Sequence, residues 1–200
     1  MPLPEIDRRA SILKDAAALF AAKGLRGTTV RQIAHATGIQ SGSLYHHFDS
    51  KDAIFETIVV EYLRDLTQRY AESVLPHPDP RARLLQLVLV SFQVVYDHPH
   101  ASEIYQDNRA YFEAEERFRT VRELAASVHE TWADVVDSGV SAGVFRADVN
   151  ARVFHRFLRD AVFLASRWYQ PAEAYAIEDL ADDTARIFLE GFTDPAAESR

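Results

Sequence analysis

Cysteine is absent from the 200 residues and methionine occurs once. Without cysteine there is no disulfide framework, no thiolate metal site and no thiol nucleophile, which suits a reducing compartment. Long apolar runs are missing too. The longest, LLQLVLV from Leu84 to Val90, falls far short of the roughly 20 residues that a spanning helix needs, and MPLPEIDRRAS at the start has no apolar stretch of the secretory kind. The expectation is a cytoplasmic protein, neither exported nor membrane-embedded. There is also no alternating strand pattern, no internal repeat, no Gly-x-Ser-x-Gly elbow and no glycine-rich phosphate loop. Histidine is available, but adjacent His46 and His47 diverge by about 100° on a helix. His98-Pro99-His100 forms no HExxH motif, and His129-Glu130 has no second histidine four residues on. No catalytic residue, metal or cofactor is expected.

What the chain does have is helical patterning, with 48% apolar residues to build a core. Its net charge of −8 looks unsuited to nucleic acid until the chain is divided. Residues 1 to 51 carry seven Lys or Arg against four acids, a balance of +3 that leaves −11 on the rest. A basic head on an acidic body fits a small domain that attracts phosphates, attached to a larger one that does not.

The head centres on TTVRQIAHATGIQSGSLYHHFDSK, Thr28 to Lys51. Thr28 or Thr29 is placed to cap a short helix whose inner face is Val30, Ile33 and Ala34, and Gly38 is placed to end it in the left-handed conformation. Ile39 then fills the corner. A second helix is expected from about Gln40 to Phe48, with Leu44 and Phe48 inward and Gln40, Ser41, Ser43, Tyr45 and His46 outward. Gly42 and Ser43 permit close backbone approach, as a helix in the major groove requires. Before this pair, the spacing of Ile12, Leu13, Ala16, Leu19 and Phe20 predicts a supporting helix that Gly24 interrupts.

The order LFAAKGLRGTTVRQIAHATGIQSGSLYHHFDSKDAIF resembles the DNA-binding domain of the TetR family of bacterial repressors. That resemblance implies a helix-turn-helix over residues 1–51 and an effector-binding, dimerising helical body over 52–200. It implies DNA contacts from Thr29, Arg31, Gln40, Ser41, Gly42, Ser43, Tyr45, His46 and Lys51, with double-stranded operator DNA as partner. The fold class is expected to be all-α.

In the body, Ile54 to Leu66 mark a long helix reaching about Val74, and Pro76 to Pro80 break it. Helices are then expected over Arg83–Tyr96, about Ala101–Asn108, onward to Ser138, about Ala151–Tyr169 and Ile177–Phe192. Gly139 and Gly143 bracket a loop between them. The last two are richer in large apolar residues (Val153, Phe154, Phe157, Leu158, Phe163, Leu164 and Trp168 on one, Leu180, Ile187, Phe188 and Phe192 on the other) than peripheral helices need, and the resemblance implies a homodimer through a four-helix interface there.

Arginine on an apolar helix is costly to bury without an anion, so Arg159 and Asp160 mark an internal salt bridge, for example Asp107 with Arg159, an arginine snorkelling at the dimer edge, or a ligand contact. The segments around Tyr105-Gln106-Asp107, Phe145-Arg146, Arg156-Phe157-Leu158-Arg159-Asp160 and Arg167-Trp168-Tyr169 are similar to TetR repressors of steroid-ring catabolism, whose effectors are acyl-CoA thioesters. The likeness implies an effector site drawn from Phe92, Tyr105, Gln106, Arg109, Trp132, Arg159, Phe163 and Trp168. It departs from that subgroup at Phe163, where tryptophan is usual, and at Asn108, where an acid is. A small apolar or acyl-CoA effector is therefore expected. Two other classes stand beside this reading, an all-α acyl-CoA-handling enzyme and a helical interaction module without a ligand.

Overall fold

The structure, a computed structural model, describes residues 5–170 and 174–191. In chain order its helices are α1 (Glu5–Gly27), α2 (Val30–Ala36), α3 (Ser41–Leu44), α4 (Lys51–Arg69), α5 (Pro80–Asp97), α6 (Pro99–Asp107), α7 (Arg109–Ala114), α8 (Arg119–Ser141), α9 (Ala151–Phe163) and α10 (Ile177–Glu190). No β-strand forms among the described residues, as the all-α expectation requires. Phe192, expected at the end of the last helix, lies outside the described residues.

Packing divides the chain into two compact units, Met1–Arg64 with His98–Ala125 and Asp65–Asp97 with Ala126–Arg200. These units do not follow the division by role drawn at residue 51. In the first, α6 packs against α1. Its core is a run of rings in which Phe20 meets Phe55 edge-on at 5.2 Å, Phe55 stacks on Phe112 at 5.3 Å and Phe112 meets Phe118 at 5.0 Å. All four rings are buried, each contributing about 1.5–3 kcal/mol.

One continuous helix from about residue 109 to Ser138 is not what forms. The backbone turns extended at Glu115 (φ −102°, ψ 122°), splitting the stretch into α7, a short 3-10 turn and α8. The break lets Phe112 and Phe118 face each other, and the Glu115 carbonyl accepts both from Phe118 N at 3.1 Å and from the Arg122 guanidinium at 2.6 Å.

In the second unit α5 is the central helix, packed by α10, by α9 and by the wide turn Tyr70–Val74 that ends α4. Pro80 takes the first position of α5, where its missing N–H costs nothing, and Asp79 caps the helix by accepting from Ala82 N at 2.8 Å. A polar chain crosses this core: Trp132 Nε1 donates to Tyr70 Oη at 3.0 Å, Tyr70 and Ser91 hydroxyls lie 2.5 Å apart, and Ser91 Oγ donates to Leu87 O at 2.6 Å. Burial raises the Tyr70 pKa, so its hydroxyl keeps the proton.

Gly139 does not open a loop but sits inside α8, because the Phe145 ring lies where its Cβ would be, 2.1 Å away. Gly143, at φ +70°, is where the turn is made. The Arg146 guanidinium then closes on Asp148 through two bonds of 2.9 and 2.6 Å, which holds the Asp148 carboxyl below its usual range. Asn150 caps α9, and the regular helix stops at Phe163, earlier than expected, in a 3-10 turn over Ala165–Arg167.

Candidate nucleic-acid interface

The first short helix is held at its start by side chains and at its end by the backbone. Thr29, not Thr28, is its cap: Gln32 N donates to Thr29 Oγ1 at 3.3 Å and Thr29 N donates to Gln32 Oε1 at 2.8 Å, a reciprocal capping box. Thr28 is buried instead, its hydroxyl donating to Gly24 O at 2.9 Å where α1 kinks at φ +70°. At the other end Gly38 takes φ +66°, and Ile39 N returns to Ala34 O at 2.9 Å. That closure satisfies carbonyls which the helix would leave open.

The second helix is shorter than the sequence implied. Regular α-helix covers Ser41–Leu44 alone, and the chain reaches Phe48 through turns bonded from His47 N and Phe48 N to Leu44 O, each at 3.0 Å. Glycine and two serines are weak helix formers, and Gln40 offers no side-chain cap, so the rod is held mainly by the buried anchors Leu44 and Phe48. Around them Thr29, Arg31, Gln40, Gly42, Tyr45 and His46 are exposed, and Ser41 and Ser43 half-buried. Tyr45 is 56% exposed, a large ring left on the surface with nothing of its own unit covering it.

Lys51 has a different position from these. Its half-buried ammonium donates to Leu25 O at 2.6 Å and to Thr28 O at 2.8 Å, so two of its three N–H groups are spent on the head's own backbone. Arg9 is also occupied: its guanidinium lies 4.7 Å above the Phe48 ring and 3.1 Å from Glu61. Neither tie is legible from spacing along the chain, nor is the ion pair between Arg117 and Asp52 at 3.2 Å, because none joins residues at helical spacing.

The eight effector candidates fall in both units. Tyr105, Gln106 and Arg109 belong to the first, where Tyr105 lies 6.1 Å from Phe112 and Arg109 pairs with Glu113 at 3.8 Å. Phe92, Trp132, Arg159, Phe163 and Trp168 belong to the second. There Trp132 and Phe163 meet at 6.1 Å, both buried, while Phe92 is buried on α5 and Trp168 is 67% exposed. The indole N–H of Trp132 is spent on Tyr70, leaving its ring face for any contact. Arg159 pairs with neighbouring Asp160 at 2.9 Å, its side chain 16% exposed.

Sequence reasoning missed His155. Its ring is buried, parallel to Trp132 at 5.8 Å and 4.8 Å from His129, and its Nε2 has no hydrogen-bond partner. Burial, then the nearby charges of His129 and Arg159, hold its pKa down at about 4. A cavity of about 300 Å³ in the same unit is lined by Val136, Val140, Phe145, Phe154, Ile187 and Phe188 with Arg81 and Arg146, and by none of the eight candidates. Among the described residues no three acidic or imidazole side chains converge to hold a metal, and no helix is long and apolar enough to cross a membrane.

Two short helices around a left-handed glycine, the first of them capped, with an exposed polar and aromatic edge, define a helix-turn-helix DNA-binding protein. Residues 12–58 match the model of bacterial regulatory proteins of the tetR family, and residues 77–192 that of the tetracyclin repressor-like C-terminal domain. The chain belongs to the tetR family. It is 43% identical over 188 residues to the HTH-type transcriptional repressor KstR2 of Rhodococcus jostii (strain RHA1), covering 94% of this chain and 92% of that one. It is 36% identical over 186 residues to KstR2 of Mycobacterium tuberculosis (strain H37Rv), covering 93% of each. The solved structure of the ketosteroid transcriptional regulator KstR2 of Mycobacterium tuberculosis superposes with a TM-score of 0.85 at 36% identity, over 94% of this chain and 95% of that one. The protein is a transcriptional repressor of TetR type and not an enzyme. Regulators of this type bind DNA operators as dimers and respond to small-molecule effectors.

Proposed function

We propose that this repressor holds a palindromic operator with the edge formed by α2 and α3 and is released by an acyl-CoA thioester from steroid or lipid breakdown. The observation that carries the DNA reading is the outward set on one rigid corner: Gln40, Gly42, Tyr45 and His46 exposed around buried Leu44 and Phe48. In this reading Gln40, Ser41, Ser43, Tyr45 and His46 meet base edges or backbone, Gly42 lets the helix lie close, and Thr29, Arg31 and the third N–H of Lys51 meet phosphates. The residues before position 52 serve as the DNA-binding domain and those after it as the regulatory one.

Pairing through α9 and α10 is supported by apolar side chains left in water on them: Phe157 is 64% exposed, Val153 47% and Ile187 50%. A contiguous set of this kind on a helix marks an association surface. A two-fold dimer sets two recognition edges one helical turn of DNA apart. The relatives named for ketosteroid regulation support an effector with a fused-ring apolar part, and Arg159 suits its anionic end. Effector and operator then favour different arrangements of the heads, so each weakens the other's binding by the same factor. A repressor of this kind works in the cytoplasm.

A gel-shift with DNA from upstream of its own gene tests the reading. Tyr45→Ala and Arg31→Ala should each weaken the complex at least tenfold while leaving the thermal midpoint unchanged, and a CoA thioester should dissolve it. Unaltered affinity in both variants would remove the groove assignment, and a strictly monomeric protein in sedimentation would remove the dimer.

A further inference from the structure

Native interiors leave very few polar atoms without a partner, and each one shut away from water costs about 1–3 kcal/mol until something fills it. Among the described residues a single side-chain nitrogen or oxygen is in that condition, Nε2 of His155. The imidazole is 6% exposed. Its ring lies 11° from parallel with Trp132 and its own helix turns Leu158 and Val162, both fully buried, into the same interior. Phe163 closes on Trp132 from two turns further along α9, and Arg159 stands one turn from His155. Trp132 therefore stacks on a ring whose nitrogen the fold itself does not use, and two more effector candidates, Arg159 and Phe163, lie one and two turns along the same helix.

We propose that Nε2 of His155 hydrogen-bonds a ring oxygen, ketone or hydroxyl, on the apolar part of the effector, an assignment that rests on the effector reading above. The surroundings choose the chemistry. A phosphate or carboxylate beside two aromatic faces and aliphatic side chains would lose its hydration without repayment, whereas a neutral oxygen needs one bond. A neutral imidazole serves either partner, accepting from a hydroxyl or donating to a ketone according to its tautomer. The low basicity of His155 keeps it in that neutral form at physiological pH. Anionic groups are left to Arg159, and His155 discriminates between ring systems that carry an oxygen and those that do not. Such discrimination is steep because the wrong ligand leaves the nitrogen empty.

The test uses two probes that differ by one ring oxygen, the CoA thioesters of a decalincarboxylic acid and of its ring-ketone counterpart, read by calorimetry on the full-length protein. Wild type should bind the ketone thioester about tenfold more tightly. His155→Phe should bind both alike, with an unliganded thermal midpoint no lower than wild type. A wild type that binds both thioesters equally, or a His155→Phe variant that keeps the preference, overturns the assignment and leaves the acyl-CoA reading standing. If neither thioester binds wild type, the acyl-CoA reading fails and this assignment fails with it. Should His155→Phe not fold, the Nε2 resonance of ¹⁵N-histidine-labelled wild type decides: it should move with the ketone thioester and not with the other, and a resonance indifferent to both overturns the proposal.

Discussion

The Lys51 ammonium donates to the carbonyl oxygen of Leu25 at 2.6 Å, tying the start of α4 to the end of α1 beneath the DNA-reading corner. A second bond to Thr28 O at 2.8 Å makes the lysine a staple of the head as well as a candidate phosphate contact. Lys51→Met keeps the aliphatic stem and removes both roles. It should lower stability by about 1–3 kcal/mol, since two half-buried carbonyls lose a charged donor. Operator affinity should fall further than the folded fraction does. If affinity corrected for folding is unchanged, the third N–H meets no phosphate.

The threonine cap and the left-handed glycine could be read from the sequence because both are local: a hydroxyl residue stands just before the helix, and Gly38 directly follows the helix that it closes, whereas the return bond from Gln32 emerged only in the structure. The same locality made the supporting helix and its interruption at Gly24 legible. What could not be read joins positions far apart in the chain, such as Lys51 to Leu25, Arg9 to Glu61 and Tyr70 to Trp132. No spacing rule links such pairs. Helix ends failed for a related reason. The Glu115 break and the early stop of α9 are set by where Phe112, Phe118 and Phe163 find ring partners, which overrides local propensity. His155 was passed over because a histidine beside arginine on a helix reads as solvated, and its burial follows from packing alone.

Gly38 offers a direct check of the corner. At φ +66° a side chain is strained even though nothing within 4 Å obstructs it. Gly38→Ala should cost about 1 kcal/mol and Gly38→Asn less, because asparagine tolerates the left-handed region. Equal midpoints for glycine and alanine in chemical denaturation would show that the corner relaxes into another conformation.

Gly139 gives a contrasting case, in which space and not backbone angle is limiting. Its Cβ would fall 2.1 Å from the Phe145 ring, so Gly139→Ala must displace that ring and should cost about 1–3 kcal/mol. In the Phe145→Ala background the same change should be close to neutral or favourable, since alanine is the better helix former. Additive costs in the double variant would mean that the two positions do not meet.

The Trp132, Tyr70 and Ser91 chain should behave as one unit. Tyr70→Phe removes the atom that accepts from the indole and bonds Ser91, and leaves a buried N–H unpaired. A loss of about 2–4 kcal/mol is expected. Pairing it with Ser91→Ala should add little, because the second change removes a hydroxyl that has already lost Tyr70 and keeps only its local bond to Leu87 O, a carbonyl of its own helix. Strict additivity in denaturation would show that the bonds act independently.

His155 sets a pH dependence whose sign follows from its depressed pKa. The folded chain holds that proton only near pH 4, whereas the unfolded histidine takes it up around 6.5. Between those values the unfolded state binds more protons, so stability falls as the pH falls through the window, with no penalty above 6.5 and the full penalty below 4. At pH 5 the difference amounts to about 2 kcal/mol at 1.4 kcal/mol per pH unit. His155→Phe has no such proton to take up. Its stability relative to wild type should therefore grow by about 2 kcal/mol between pH 7 and pH 5, measured by urea denaturation at both. Parallel curves for the two proteins would mean that the imidazole is hydrated in the folded state and titrates as it does in the unfolded chain.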